Sequence, residues 1–594
     1  MVPPRRGVAK QREGSSMADQ KARERYNEWL SGLSENDPLR RELLSIKDDD
    51  DEIEERFGEE MTFGTAGLRG KLGVGTMYMN RVIISRVTKA LSNCIIDEFI
   101  KKGNEDERER PSCVIAYDPR HFSKDFAFLS ARILSRHGIT AYTFDGIRPT
   151  PELAFLIRYL HADAGINITA SHNPKEYNGY KVYWSDGCQI SGEVSKRIAS
   201  EMERLPYPLS DTDDEETREV NRIIVLGENE DRAYLDRIEE LAVYSADELD
   251  LSMPLVYTPL NGAGAVPFER MLIDRGFDNY HIVEEQKDPD PDFSSVGYPN
   301  PEDPKAFKLA ETLGMKTEAE VLLATDPDAD RFAIELRKPD GSGYLPLNGN
   351  QTGYILLEHI LSGKTSLNDG LKPAVVRSIV TSPLGDIIAE KHGVAMFEAL
   401  TGFKNICGTI PVMEQNGYSY VFGWEESVGY AACPDIRDKD GISAGMLVSE
   451  AAAYCRKNGK ALYGALMDIY ERYGFANEEE PFIIKEGLKG KAEIDSMMEN
   501  LRREPFLEVA GMSVLKVTDY STPVEIRVGD ETSYHLESSN VLRFDLSGNA
   551  RFFVRPSGTE PKIKFYFYAF GDSIKDAAEK NSAVKEEVLR FFGW

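Results

Sequence analysis

Asp326, Asp328 and Asp330 stand at alternate positions in the stretch TDPDADR, directly behind the apolar run AEVLLA. Carboxylates at this spacing can converge their oxygens on one hard cation, and Pro327 stiffens the loop that carries them. A calcium loop of the EF-hand type needs glycine at its sixth position and glutamate at its twelfth, where Arg331 and Arg337 stand here. Magnesium suits the set better, because it uses few carboxylates and keeps coordination positions for a phosphate. A solvated acidic turn has the same composition; the place behind an apolar strand favours the metal.

Three more loops carry chemistry-bearing residues. In ITASHNPKEYNGYK (residues 168–181) a hydroxyl, Ser171, adjoins His172, and the stretch closes on Gly179 and Lys181. Ser171 could serve as a nucleophile or phosphoryl carrier, with His172 and Lys181 managing charge and protons and Gly179 allowing close backbone approach. A turn with an N-cap serine accounts for the same string. The glycines of a hydrolase nucleophile elbow are absent, since Thr169 and Asn173 hold their positions. In FGWEESVGY (residues 422–430) a carboxylate and a hydroxyl suit the alternating donors and acceptors of a sugar; a helix start with acids near its positive end is the alternative. In RPSGTEPK (residues 555–562) Arg555 offers a guanidinium fork, Ser557 and Thr559 hydroxyls, and Gly558 a bare backbone N–H, which together describe a phosphate cradle. The string NGAGAV (residues 261–266) starts like a dinucleotide fingerprint, but Pro267 replaces the last glycine.

The elements that must hold these loops follow from hydrophobic pattern. From about Arg81 the chain alternates helical runs (RVTKALSNCIIDEFIKK, DFAFLSARILSRHG, PELAFLIRYLH) with strands (SCVIAYDP, TAYTFDG, AGINIT), which predicts α/β structure around parallel sheet. Similar units follow through MPLVYTPL and AFKLAETLGMK, then through NQTGYILLEHILSG, PAVVRSIVTS and HGVAMFEALTG. Beyond Gly474 shorter strands and hairpins predict a smaller α+β domain closed by a helix from Ser573 to Phe592. The expected domains are a disordered tail over residues 1–25, α/β domains over 26–245, 246–345 and 346–474, and the α+β domain over 475–594. The acidic stretch at residues 207–221 reads as a surface connection. Within the first 16 residues, arginines and serines allow a transit peptide, whereas a disordered tail or a start at Met17 fits better.

The 594 residues exceed what one hydrophobic core supports, roughly 250 to 300 residues. A net charge of -29 repels nucleic-acid backbones and anionic membranes, so neither is an expected partner, and phosphate handling must be local to a pocket. Six cysteines without a C-x-x-C pair fit neither a disulfide framework nor a zinc ribbon, and read as reduced thiols of a cytoplasmic protein. No window holds the roughly 18 to 20 apolar residues of a membrane helix.

The order TASHNP, DPDADR, EES and RPSGTEP, with FGTAGLRG (residues 63–70) ahead of them, resembles the α-D-phosphohexomutase superfamily across nearly the whole chain, closest to its phosphoglucomutase and phosphopentomutase branch. The resemblance implies four domains around a central cleft, three α/β with mixed sheets and a smaller, mobile C-terminal α+β domain. It also implies interconversion of sugar 1-phosphates with 6- or 5-phosphates through a phosphoserine and a bisphosphorylated sugar. Position by position, Ser171 matches the phosphoserine; Asp326, Asp328 and Asp330, with the group on Ser171, match the magnesium ligands. Arg69, His172 and Lys181 match catalytic residues near the transferred phosphate. Arg331, Thr401 and Lys439 match substrate contacts, Glu425 and Ser427 the sugar-binding pair, and Arg555, Ser557, Gly558 and Thr559 the distal phosphate loop.

The expected ligands are therefore Mg2+, sugar phosphates and a sugar 1,6-bisphosphate that phosphorylates Ser171, with glucose 1-phosphate and glucose 6-phosphate the foremost substrates. The same loops could serve a phosphopentomutase on ribose or deoxyribose phosphates, or a sugar-1,6-bisphosphate synthase; a non-catalytic sugar-phosphate sensor is the alternative from another class. Trp424, where the commoner motif has glycine, bears on the sugar preference, and the resemblance does not divide acid and base roles between Lys181 and His172.

Overall fold

The structure, a computed structural model, describes residues 17–64, 67–103, 108–190, 192–209, 222–363, 370–485, 487–529, 532–557 and 562–594. The chain divides into two units. The first comprises the residues up to Arg148, Leu156–Glu228 and Pro291–Tyr298; the second comprises Pro149–Phe155, Asn229–Asp290 and Pro299–Trp594.

The first unit is built on six strands: β1 (Leu68–Lys71), β2 (Ser112–Tyr117), β3 (Thr140–Phe144), β4 (Ala164–Ile168), β5 (Tyr177–Trp184) and β6 (Ile223–Leu226), in the order β1-β5-β4-β2-β3-β6. The strands β4, β2, β3 and β6 run parallel, whereas β5 is antiparallel to β4 and to β1. In β2 and β4 every residue is buried, the pattern of parallel strands covered on both faces. The helix Arg81–Lys102 covers the sheet and is capped by Asn80, whose side chain accepts from the amides of Val82 and Ile83.

Two sequence expectations change here. The tail predicted over residues 1–25 is helical from Met17, in a helix that runs to Gly32; residues 1–16 lie outside the described residues. Apolar positions of this helix account for the order: Ala22, Tyr26 and Trp29 are buried in the first unit's core, Trp29 edge-on to Phe57 at 5.7 Å. The first domain was expected to run to residue 245, but the helix Glu228–Glu239 belongs, from Asn229, to the second unit. It is anchored there because the fully buried Tyr234 hydroxyl donates to Asp440 at 2.9 Å and Arg237 pairs with Asp435 at 2.7 Å. Most of the acidic connection at residues 207–221 lies outside the described residues.

Among its described residues the second unit holds three larger sheets and an antiparallel pair, Val524–Val528 with Thr532–Leu536. The first contains β7 (Leu255–Thr258), β8 (Tyr280–Ile282), β9 (Val321–Thr325), β10 (Phe332–Arg337) and β11 (Tyr344–Pro346), ordered β11-β10-β9-β7-β8. The next contains β12 (Lys372–Ser378), β13 (Ala395–Ala399), β14 (Tyr418–Glu425) and β15 (Gly429–Ala431), ordered β13-β12-β14-β15. Both are mixed, with parallel centres and an antiparallel strand or pair at one side. The third sheet, of seven strands between Phe475 and Gly571, is antiparallel throughout and is backed by the helices Gly487–Arg503 and Ile574–Phe591. Phe544 and Phe552 stack at 4.5 Å in its core. This last part docks onto the preceding one through Ile379 and Val380, packed with Phe553, Tyr566 and Tyr568, and the Tyr568 hydroxyl donates to the Val380 carbonyl. Three α/β layers with mixed sheets and a smaller antiparallel α+β part agree with the predicted class.

Candidate active site

In the first unit, Ser171 lies in the loop that turns the chain from β4 into the antiparallel β5. Its side chain is nearly buried and its backbone takes φ +53°. The amide of Ser171 donates to Thr169 Oγ1 at 2.8 Å, and His172 Nδ1 is 3.3 Å from Ser171 Oγ. The antiparallel return also brings Leu68–Lys71 to this loop, because β1 pairs with β5 and sets Arg69 opposite Gly179. A side chain at Gly179 would meet the Thr169 carbonyl at 2.5 Å, and one at Gly67 would meet the Tyr180 carbonyl at 2.0 Å. Only glycine permits so close an approach. Arg69 Nη1 thereby donates to Asn173 Oδ1 at 3.2 Å, and Lys181, on β5, is 6% exposed.

In the second unit, Asp326, Asp328 and Asp330 follow β9 and are buried, each offering an oxygen within 4.8 Å of the others'. The turn depends on Ala329, at φ +53°, and on Gly441, where a side chain would strike the Ala329 carbonyl at 2.8 Å. Asp326 accepts from the Arg331 amide at 3.0 Å, Asp328 from Thr150 Oγ1 at 2.7 Å, and Asp330 faces Lys439 Nζ at 3.1 Å. Burial works against the charges of Arg331 and Lys439, yet both stay protonated. Glu302, Asp326, Asp330 and Glu425 outweigh burial at Arg331; Asp330, Asp438 and Glu425 do so at Lys439. Three convergent hard oxygens out of water fit a small divalent cation.

The sugar-motif residues come together beside this cluster. Glu425 accepts from Ser427 Oγ at 2.9 Å and from the Gly402 amide at 3.0 Å, which joins the loop containing Thr401 to the EES turn. Glu426, also buried, accepts from Thr381 Oγ1 at 2.9 Å and Ser378 Oγ at 3.2 Å, and burial raises its pKa, with Glu425 adding to the effect. Trp424 points the other way: it is fully buried, with Gly353 and Gly385 against its ring, so it takes no place among the polar groups. Arg555 is influenced by Tyr566, whose hydroxyl is 3.3 Å away, and by Glu426 and Glu425, which hold its charge against burial. The amide of Ser557 donates to the Lys562 carbonyl at 2.7 Å. Gly558 and Thr559 lie outside the described residues.

The sequence reading missed three members of this set. Asp118 and Arg120, in AYDPR at the end of β2, form an ion pair with both side chains fully buried, at 3.0 Å, under the Ser171 loop. Their signal was a carboxylate and a guanidinium at the carboxyl end of a parallel strand, where α/β sheets place their sites. Thr150, which holds Asp328, gave no signal beyond its hydroxyl.

The four domain models of phosphoglucomutase/phosphomannomutase match this chain in order: α/β/α domain I at residues 60–207, domain II at 232–338, domain III at 348–473 and the C-terminal domain at 515–583. Among curated relatives, the phosphoglucomutase of Staphylococcus haemolyticus is 36% identical over 530 residues, covering 89% of this chain and 93% of its own length. The phosphoglucomutase of Staphylococcus epidermidis is 36% identical over 566 residues, covering 94% and 99%. Among solved structures, the open form of parafusin (phosphoglucomutase) from Paramecium superposes with a TM-score of 0.65 at 20% identity, covering 90% of this chain and 95% of that one. A phosphoglucomutase/phosphomannomutase family protein from Burkholderia thailandensis gives 0.63 at 17%, covering 89% and 96%. With all four domain models matched in order and curated relatives 36% identical over most of both chains, the chain belongs to the phosphoglucomutase/phosphomannomutase family of α-D-phosphohexomutases.

Proposed function

We propose that this protein is a magnesium-dependent sugar-phosphate mutase that interconverts glucose 1-phosphate and glucose 6-phosphate. The observation that carries the proposal is Ser171: a nearly buried hydroxyl in a left-handed turn at the end of a central strand, with a histidine nitrogen 3.3 Å away. In the proposed cycle the phosphoryl group on Ser171 passes to the 6-hydroxyl of glucose 1-phosphate, leaving the serine oxygen to regain a proton. The glucose 1,6-bisphosphate so formed turns around, and its 1-phosphoryl returns to Ser171 as glucose 6-phosphate leaves.

His172, with Nδ1 3.3 Å from Ser171 Oγ, is assigned the proton there; Arg69 and Lys181 supply positive charge for phosphate oxygens. Asp326, Asp328 and Asp330 would hold Mg2+, which supplies charge neutralisation for phosphoryl oxygens. Glu425 and Ser427 would accept from and donate to sugar hydroxyls. Thr401, Arg331 and Lys439 would contact the substrate, and Arg555, Ser557, Gly558 and Thr559 would bind the phosphate at the far end of the sugar. Six free thiols support a reducing, cytoplasmic setting, and among the described residues no helix is long and apolar enough to cross a membrane. The names of the staphylococcal relatives support glucose as the sugar.

The test is the intact mass of the purified protein before and after exposure to glucose 1,6-bisphosphate, with turnover of glucose 1-phosphate, ribose 1-phosphate and 1,3-bisphosphoglycerate measured in parallel. The expected result is one phosphate per chain, lost in Ser171→Ala together with turnover, and glucose 1-phosphate as the best substrate. Full turnover by Ser171→Ala overturns the mechanism. A preference for ribose 1-phosphate, or net transfer from 1,3-bisphosphoglycerate, reassigns the substrate.

A further inference from the structure

A residue at φ +53° other than glycine stays there only when its surroundings hold it. At Ser171 the holding group is Arg120, whose side chain is wholly buried. Its Nε donates to Asp118 Oδ2 at 3.0 Å, Nη1 to the carbonyls of Pro174 at 2.8 Å and Tyr177 at 3.2 Å, and Nη2 to the carbonyls of Ser171 and Asn173, both at 2.5 Å. Every N–H of the guanidinium is thus committed, one to a carboxylate and four to carbonyls of the Ser171 loop. Asp118 completes the frame by accepting from Thr169 Oγ1 and Ser123 Oγ, both at 2.7 Å, and Thr169 Oγ1 accepts the Ser171 amide.

The guanidinium also has a floor. Phe293, fully buried, places its ring 5.0 Å from Arg120 Cζ. It belongs to Pro291–Tyr298, the segment that joins the first unit although the sequence on both sides belongs to the second. Its neighbours touch the same loop: Asp292 accepts from Lys175 Nζ at 3.1 Å, and the Tyr298 ring stands edge-on to His172 at 6.2 Å.

We propose that Arg120, paired with Asp118 and seated on Phe293, is the positioning residue of the phosphoryl-carrying loop. It fixes Ser171 Oγ for transfer and takes no part in the bonds made or broken. The proposal rests on the mutase assignment for the chemistry of Ser171, and on geometry alone for the clamp. An ammonium is a point charge with three donors and cannot span this set of carbonyls while pairing with Asp118, so lysine restores only part of it.

The test uses the full chain with Arg120→Met, Arg120→Lys and Phe293→Leu. Amide hydrogen exchange at residues 171, 173 and 177 is followed without ligand, alongside phosphate uptake from glucose 1,6-bisphosphate, kcat and KM. In Arg120→Met, exchange at the loop is expected to rise about tenfold or more while distant amides keep their protection. Phosphorylation of Ser171 and kcat should fall roughly 100-fold with KM for glucose 1-phosphate within about threefold, the signature of lost positioning, and Arg120→Lys should recover part of both. Phe293→Leu keeps the site apolar and should cost kcat about five- to twentyfold with faster loop exchange.

A folded Arg120→Met with unchanged exchange and kcat overturns the clamp; a KM that rises as far as kcat falls overturns it in favour of direct substrate binding. If Arg120→Met does not fold, Phe293→Leu decides, and unchanged exchange and kcat there overturn the clamp. If the wild-type protein takes up no phosphate, the mutase assignment fails, and the exchange measurement still decides the clamp.

Discussion

Lys439 Nζ stands 3.1 Å from Asp330 and 3.5 Å from Asp438, an ammonium held at the edge of the three metal-type carboxylates. Two unit charges this close, at the effective dielectric of a protein pocket, interact by about 4 kcal/mol, so the lysine competes with any cation for Asp330. Lys439→Met should tighten Mg2+ binding, about tenfold or more after relaxation and screening, while lowering turnover through loss of the proposed substrate contact. Calorimetric titration with Mg2+, paired with kcat, checks this; weaker Mg2+ binding in the variant would show that Lys439 orders the carboxylates instead of opposing the cation.

The buried carboxylates repel one another when no divalent cation is present, and this gives a stability change whose sign depends on the metal. Asp328→Asn keeps an acceptor for Thr150 Oγ1 and removes one like charge. With chelator present the variant should be more stable than the wild type by about 1–2 kcal/mol, and with saturating Mg2+ less stable, because the wild type gains more from binding. Thermal unfolding with chelator and with Mg2+ reads both signs; destabilisation in both conditions would mean that Asp328 is structural.

How far the site was legible depended on what each residue shows in one dimension. The convergence of the aspartate loop could be read because alternate carboxylates behind an apolar strand can bring their oxygens together, as they do here, and β9 buries every residue as that pattern requires. The strand β5 was not predicted: its buried positions are held partly by Asn178, Gly179 and Lys181, polar or small residues that periodicity does not count. It is nonetheless the element that brings Arg69 to the Ser171 loop. Arg120 was invisible for a related reason, since its partners are carbonyls, which every residue owns. The domain boundary moved because a buried hydroxyl, Tyr234, decided where a helix docks.

Gly179 gives a prediction confined to the first unit. A methyl group there would press on the Thr169 carbonyl at 2.5 Å and the Leu68 carbonyl at 2.9 Å, and backbone cannot step aside as a side-chain end can. Gly179→Ala should separate β1 from β5, destabilise the first unit by about 2–3 kcal/mol, and lower kcat/KM as Arg69 leaves Asn173. Denaturant unfolding and kinetics test it together. A variant as stable and as active as wild type would mean that β1 is not locked to the loop.

Glu335 predicts a pH dependence remote from the chemistry. Its buried carboxyl on β10 is pushed up to about 8, first by burial and then by the nearby Glu311, with Lys338 acting weakly in the other direction. Because the folded value lies above the ordinary 4.5, its contribution to stability is whole below about 4.5 and is lost as pH rises towards 8. Glu335→Gln should flatten this dependence and raise stability at pH 8 by something on the order of 3 kcal/mol. Equal slopes of unfolding free energy against pH in the two proteins would rule the effect out.

Trp424 tests whether the departure from the commoner glycine matters for the sugar or for the core. The residue lies on β14 one position before Glu425, so alternation sends its side chain to the opposite face of the sheet from that carboxylate. There it stacks on Phe422 at 5.6 Å and fills the space left by Gly353 and Gly385, where any Cβ would meet the indole within 2.7 Å. Its indole N–H finds no partner among the described residues, so the ring serves by volume alone. Trp424→Ala should cost about 3–5 kcal/mol of stability, and Trp424→Phe far less, since it removes an unpaired donor while keeping most of the volume. Neither should change the ratio of kcat/KM for glucose 1-phosphate and ribose 1-phosphate by more than about threefold, whereas Ser427→Ala, which strips the hydroxyl bonded to Glu425, should shift it by about tenfold. If Trp424→Phe moves that ratio as far as Ser427→Ala does, the tryptophan shapes sugar selection through the sheet, and its role is not confined to packing.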